Sequence, residues 1–304
     1  KNMNKIDLQK YAAETNTTLT TDLEPAISID FTSRIVSNIK ELQEVLGVSE
    51  LVPMVAGTDI KIYKMTKTNT PSQVGEGEDI PLTKIERKLA NTISLTLNKY
   101  RKNTTAEAIQ KVGRDMAINK TDEKMIFEIQ KDIKKSFYDT LKTGSGSASG
   151  TNLQTALAAL WAKLQEYYED MDIDPIYFVN PTDVSDYLGT SQITMQNAFG
   201  FTYIENFLGL GTAMITPKAE KLKPIATAKQ NLNGAYVPMS GDLGQTFNLT
   251  SDETGLVGMT HQNVLKNASV DTLLLSSVKF YPEFIDGVFK ATITPVSETS
   301  EASE

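Results

Sequence analysis

Two strand-like segments are separated by 26 residues, 66–91, rich in Thr, Asn, Pro, Gly and charge. On the near side Ile60, Ile62 and Lys64 alternate with Lys61, Tyr63 and Met65. On the far side Thr92-Ile93-Ser94-Leu95-Thr96-Leu97 alternates strictly, the pattern of a strand with one buried face. A structureless loop of that length inside a compact domain is uncommon and points to a functional projection. The simplest geometry is a long two-stranded arm with Gly75 and Gly77 near its tip. An isolated hairpin is marginal in water, so the arm needs a partner surface.

The centre of that segment, VGEGEDIPLTKIERK (74–88), does not suit a phosphate. A P-loop requires Lys-Ser/Thr after its glycines, and here Gly77 is followed by Glu78, Asp79 and Ile80. Charge is unevenly spread. Residues 60–102 carry 9 bases and 4 acids, whereas residues 151–304 carry 8 bases and 18 acids, within a net charge of −8. A basic segment set against an acidic remainder invites contact between copies; chance clustering of solvated charge is the alternative.

Elsewhere the chain reads as ordinary globular sequence. Residues 1–26 are expected to form a polar N-terminal arm, and 27–57 a connecting region. In that region Ile35, Ile39, Leu42 and Leu46 recur at helical spacing before Gly47. Thr121 is expected to cap a helix reaching Lys142, with Asp122 and Glu123 in its first turn and an apolar stripe of Ile126, Ile129, Ile133, Phe137 and Leu141. GSGSASG (144–150) reads as a flexible joint. A helix from Leu153 to Met171, a buried strand in PIYFVNP (175–181), and a helix capped by Thr182 or Asp183 and running through Leu188 follow. A small mixed sheet is expected over Phe201–Tyr236, strands over Val270–Ile293, and a disordered tail at 297–304.

The chemistry of an enzyme is hard to find. Without cysteine there are no disulfides, thiolate nucleophiles or cysteine-held metals. His261 is the sole histidine and has no Gly-x-Ser-x-Gly motif to serve. Asp170, Asp172 and Asp174 begin like a calcium loop, but Pro175 and Pro181 stand where its Gly and Glu belong. Gly209-x-Gly211 has Met214 in place of a third glycine and reads as a turn. No nucleic-acid module is present, and no apolar run approaches a membrane span, so no membrane partner is expected and a soluble intracellular protein is. The expectation is no enzyme, no cofactor and no metal. A cytoplasmic enzyme using distributed carboxylates is the alternative of another class.

The order of these parts resembles the major capsid proteins of tailed bacteriophages, the Hong Kong 97-type fold. VGEGEDIP resembles the family's Gly-Glu-Gly turn in its extended loop. NKIDLQKYAAE resembles the leader of capsid proteins from phages of Gram-positive hosts, and PIYFVNPTDVSDYL the strand, Asn-Pro turn and helix of the domain at the capsomer centre. The resemblance implies an α+β fold with an extended loop at 58–92, a peripheral domain of 93–150 and 266–296 around a spine helix, and an axial domain at 151–265. It further implies hexamers and pentamers in an icosahedral head around double-stranded DNA, bound without sequence specificity. A separate scaffolding protein and a portal would be partners, and the location would be the virion, or the host cytoplasm during assembly. Inter-subunit contact is then expected at Gly75, Glu76, Gly77, Lys84, Arg87 and Lys88, and spine packing at Ile126, Ile129, Ile133 and Phe137. An encapsulin-type compartment or a phage tail component is the near alternative.

Overall fold

The computed structural model describes residues 20–48, 50–68, 79, 82, 84–169, 171–190, 195–198, 201–251 and 253–294. The N-terminal half runs α1 (Thr20–Leu46), β1 (Leu51–Pro53), β2 (Asp59–Thr68), β3 (Lys84–Ser94), β4 (Asn98–Thr105), α2 (Ala106–Val112) and α3 (Arg114–Leu141). The middle is β5 (Gly146–Gly150), α4 (Leu153–Tyr168), β6 (Pro175–Val179), α5 (Pro181–Thr190), β7 (Gln196–Ala198), β8 (Phe201–Ile204), β9 (Thr212–Ile215) and β10 (Ile225–Ala228). The chain ends with β11 (Leu232–Tyr236), α6 (Asp242–Phe247), β12 (Val257–Val264), β13 (Ser269–Ser276), β14 (Val278–Pro282) and β15 (Phe289–Ile293). No helix among the described residues is long and apolar enough to cross a membrane.

Three sheets carry the body. A mixed seven-stranded sheet has the order β5-β15-β10-β6-β9-β8-β7; smaller sheets have the orders β1-β11-β14 and β12-β13-β4. In α3 the apolar stripe does what its spacing predicts. Ile126, Ile129, Ile133 and Phe137 are buried, and the Phe137 ring meets Phe178 and Phe280 edge-on at 5.5 and 6.1 Å. The α1 residues Ile35, Ile39, Leu42 and Leu46 complete this core. Under α4, whose Leu153, Leu157, Leu160 and Leu164 face the seven-stranded sheet, lies a second core with Tyr177 and Val179.

Several boundaries differ from the sequence expectation. Helix α1 (Thr20–Leu46) includes residues of the stretch expected to be an N-terminal arm. The rest of that arm, 1–19, and the tail at 297–304 lie outside the described residues. Helix α3 begins at Arg114, one turn and more before Thr121. Thr121 is no cap: its hydroxyl donates back to the carbonyls of Ala117 and Ile118 at 2.7 and 2.8 Å, within the helix. The break falls at Gly113, whose φ of 83° separates α2 from α3. Asn180, rather than Thr182 or Asp183, caps α5 by accepting from the Thr182 amide at 2.9 Å.

GSGSASG is a strand, not a joint. β5 pairs in parallel with β15 from Gly146↔Phe289 to Gly150↔Ile293. A Cβ on Gly146 would stand 2.2 Å from Phe289 Cδ1, and one on Gly150 2.4 Å from the Ala156 amide nitrogen. These glycines serve close approach. Gly146→Ala should therefore cost about 1–3 kcal/mol through overpacking, seen as a lower denaturation midpoint with unchanged slope. A consequence is that β5 and β15, expected with the peripheral strands, hydrogen-bond into the sheet beneath α4.

Candidate assembly surface

β2 and β3 form an antiparallel ribbon from Asp59↔Ser94 at the root to Thr68↔Lys84, the outermost described pair. Gly75, Glu76 and Gly77 lie outside the described residues. The root is held by the body: Ile60, Ile62 and Leu95 are buried, with Ala235, Val237 and Leu275 around Ile60 and Leu95. Lys279 adds a hydrogen bond from its ammonium to the Ser94 carbonyl at 2.9 Å.

A register shift then decides what the ribbon shows. Ile62 pairs with Asn91 but Tyr63 pairs with Leu89, so Ala90 is an extra, bulged residue. Directly paired residues share a face. The face that buries Ile60 and Ile62 continues outward into Lys64, Glu86 and Lys88. Because of the bulge, Leu89 and Ile85 emerge on the opposite face, together with Tyr63 and Arg87. Beyond the root one side of the ribbon is ionic, and the other sets Ile85 and Leu89 among Lys61, Lys67 and Arg87.

On the ionic side Glu86 lies between two lysines, paired with Lys84 and with Lys88 at 3.1 Å. Those hydrogen bonds hold its carboxyl below the usual carboxylate range. Both lysines are exposed and Glu86 is only partly covered, so the ladder adds little stability. On the apolar side Leu89 is 55% exposed and Ile85 63%, and Leu82, just before β3, is 89% exposed. Large apolar side chains this open, on an element without a core of its own, make this face a candidate contact surface.

The expected assembly bases thus divide. Lys84 and Lys88 are exposed on the ionic face, while Arg87 turns to its own body and pairs with Glu283 at 3.1 Å. Sequence reading named the bases and missed Ile85 and Leu89. Ile85 and Leu89 do alternate with charged residues within KIERKLA (84–90), a pattern that the density of charge masks. The four named residues of α3 are core and form no external site.

A second feature that sequence reading missed is a buried ionic cluster. Lys102 on β4 and His261 on β12 are both register partners of Thr272 on β13, forming one row across the sheet. Asp122, fully buried on α3, meets both ends of that row, accepting from His261 Nε2 at 2.9 Å and pairing with the Lys102 ammonium. The ammonium also donates to the Ile118 carbonyl at 2.7 Å and to the Thr121 hydroxyl. Burial is the main force on Lys102, lowering its pKa, and Asp122 opposes it. With three acceptors around three N–H groups, this is a structural tie between helix and sheet rather than reactive chemistry. No cluster of His, Cys, Asp or Glu among the described residues could hold a metal.

No protein-family model and no curated protein sequence matches the chain. Solved structures do. The holo-SrpI encapsulin complex from Synechococcus elongatus aligns with a TM-score of 0.52 at 10% identity, over 98% of both chains. The capsid of an empty GTA particle gives a TM-score of 0.50 at 11% identity, over 83% of this chain and 89% of that one. Mycobacterium phage Che8 is similar at 0.48 and 9% identity, over 93% of this chain and 94% of that one. On the first two alignments, the chain has the α+β Hong Kong 97-type fold found in shell proteins.

Proposed function

We propose that this chain is a major capsid protein that assembles into hexamers and pentamers of an icosahedral phage head around double-stranded DNA. The observation that carries the reading is the ribbon: rooted in its own core, yet turning Ile85 and Leu89 outward on the face opposite that root. In a shell, that face covers and is covered by a sister subunit. Head-to-tail contacts of this kind are heterologous and close into rings when the rotation allows. Each contact can be modest, because a subunit touches several neighbours at once.

In this reading α3 is the spine helix, the residues around it form the peripheral domain, and 151–265 make most of the axial domain. Gly75, Glu76 and Gly77 take part in inter-subunit contact, and Lys84 and Lys88 supply complementary charge to acidic neighbours. The role is structural rather than enzymatic, with a scaffolding protein and a portal as partners and the virion as the location. A compartment shell is the second reading, favoured by the 98% coverage in both directions with an encapsulin. The test is electron microscopy of the expressed full chain, where closed shells or discrete capsomers are expected. A compact monomer at every concentration would overturn both readings. Native particles holding double-stranded DNA support the head, and particles holding a protein cargo support the compartment.

A further inference from the structure

We infer that Arg87 is a positioning residue, a clamp that fixes the direction in which the ribbon leaves its own subunit; this rests on the assembly role just proposed. The guanidinium lies 3.8 Å from the Tyr63 ring centroid and 5.5 Å from that of Phe284, while donating to Glu283 at 3.1 Å. Tyr63 is itself tied to the same place. Its amide donates to the Glu283 carbonyl at 3.1 Å, and it forms a parallel bridge with Phe284. One planar cation therefore joins both strands of the ribbon to a single spot on the body.

That spot is rigid. Asn231, 3% exposed, accepts from the Phe284 amide and donates to the Phe284 carbonyl, both at 2.9 Å, while its own carbonyl accepts from the Glu283 amide at 2.8 Å. The clamp also sits just beyond the bulge at Ala90, where the ribbon passes from core to solvent. Inside that point Ile60 and Ile62 are buried, and outside it Ile85 is exposed. A ribbon anchored there keeps one exit direction, which lets its apolar face meet a neighbour without a search over orientations. Arginine suits the role because a lysine could carry the charge but not the flat stack.

Amide hydrogen exchange on the unassembled full chain tests this. Arg87→Ala should speed exchange of the Tyr63 amide about tenfold, the factor expected on losing one exposed ion pair and one exposed cation–π stack. The Phe280 amide, in the neighbouring β11–β14 pairing, should keep its rate. Arg87→Lys should fall between the two, and the charge swap Arg87→Glu with Glu283→Arg should recover much of the protection. An unchanged Tyr63 rate in Arg87→Ala overturns the inference, as does equal acceleration of Tyr63 and Phe280, which would mean general destabilisation. Exchange does not require assembly, so a wild-type chain that forms no particles sinks the proposed function and leaves this test standing.

Discussion

Replacing Ile85 and Leu89 together by Asp is expected to abolish particle formation while the subunit keeps its fold. Neither side chain has a place in any of the three cores, and both are more than half exposed. Their loss therefore removes little from the subunit, and its thermal midpoint should move by no more than about 2 °C, as for a surface change within 0.5 kcal/mol. In the proposed shell the balance reverses. Burying each such side chain contributes roughly 1.5–3 kcal/mol, and a carboxylate in its place must be desolvated without a partner. Because every subunit repeats the contact, a loss of several kcal/mol per contact compounds across the shell. Sedimentation of the variant as subunits, with a wild-type circular dichroism spectrum, is the expected result. Normal particles would mean that this face meets nothing.

The largest effect on stability is expected at Asp122. Asp122→Ala removes the carboxylate from a buried helix face, leaving the Lys102 ammonium with the Ile118 carbonyl and the Thr121 hydroxyl, and takes one hydrogen bond from the His261 ring. Breaking a buried ion pair by removing one partner costs about 3–5 kcal/mol, a large share of the roughly 5–15 kcal/mol that hold a typical domain together. Equilibrium denaturation should show this as a lower midpoint. Asp122→Asn retains an acceptor for His261 and should cost less. A loss below about 1 kcal/mol for the alanine variant would mean that water already reaches the cluster.

How much of this was readable beforehand follows from which interactions are local. The stripe of α3 was legible because helical spacing repeats within a few residues. Its start was not, because Thr followed by Asp and Glu suits both a cap and a helix interior, and only the backbone partners of Thr121 decide. The glycines of 144–150 posed the same ambiguity: flexibility and close packing use one residue type, and only Phe289 and Ala156 show which applies. The ribbon was legible as two strand patterns with a long insert between. Its apolar face was hidden by a single bulged residue that reverses the alternation. Arg87 and Glu283 are 196 residues apart, and Asp122 and His261 139, so no local pattern could have joined them.

The most direct measurement is a cryo-electron microscopy reconstruction of the particle formed by the wild-type chain. The ribbon is expected to cross onto the adjacent subunit, with Ile85 and Leu89 buried there and Arg87 still seated on its own Glu283. A reconstruction in which each ribbon lies against its own body, with both apolar side chains in solvent, would contradict this.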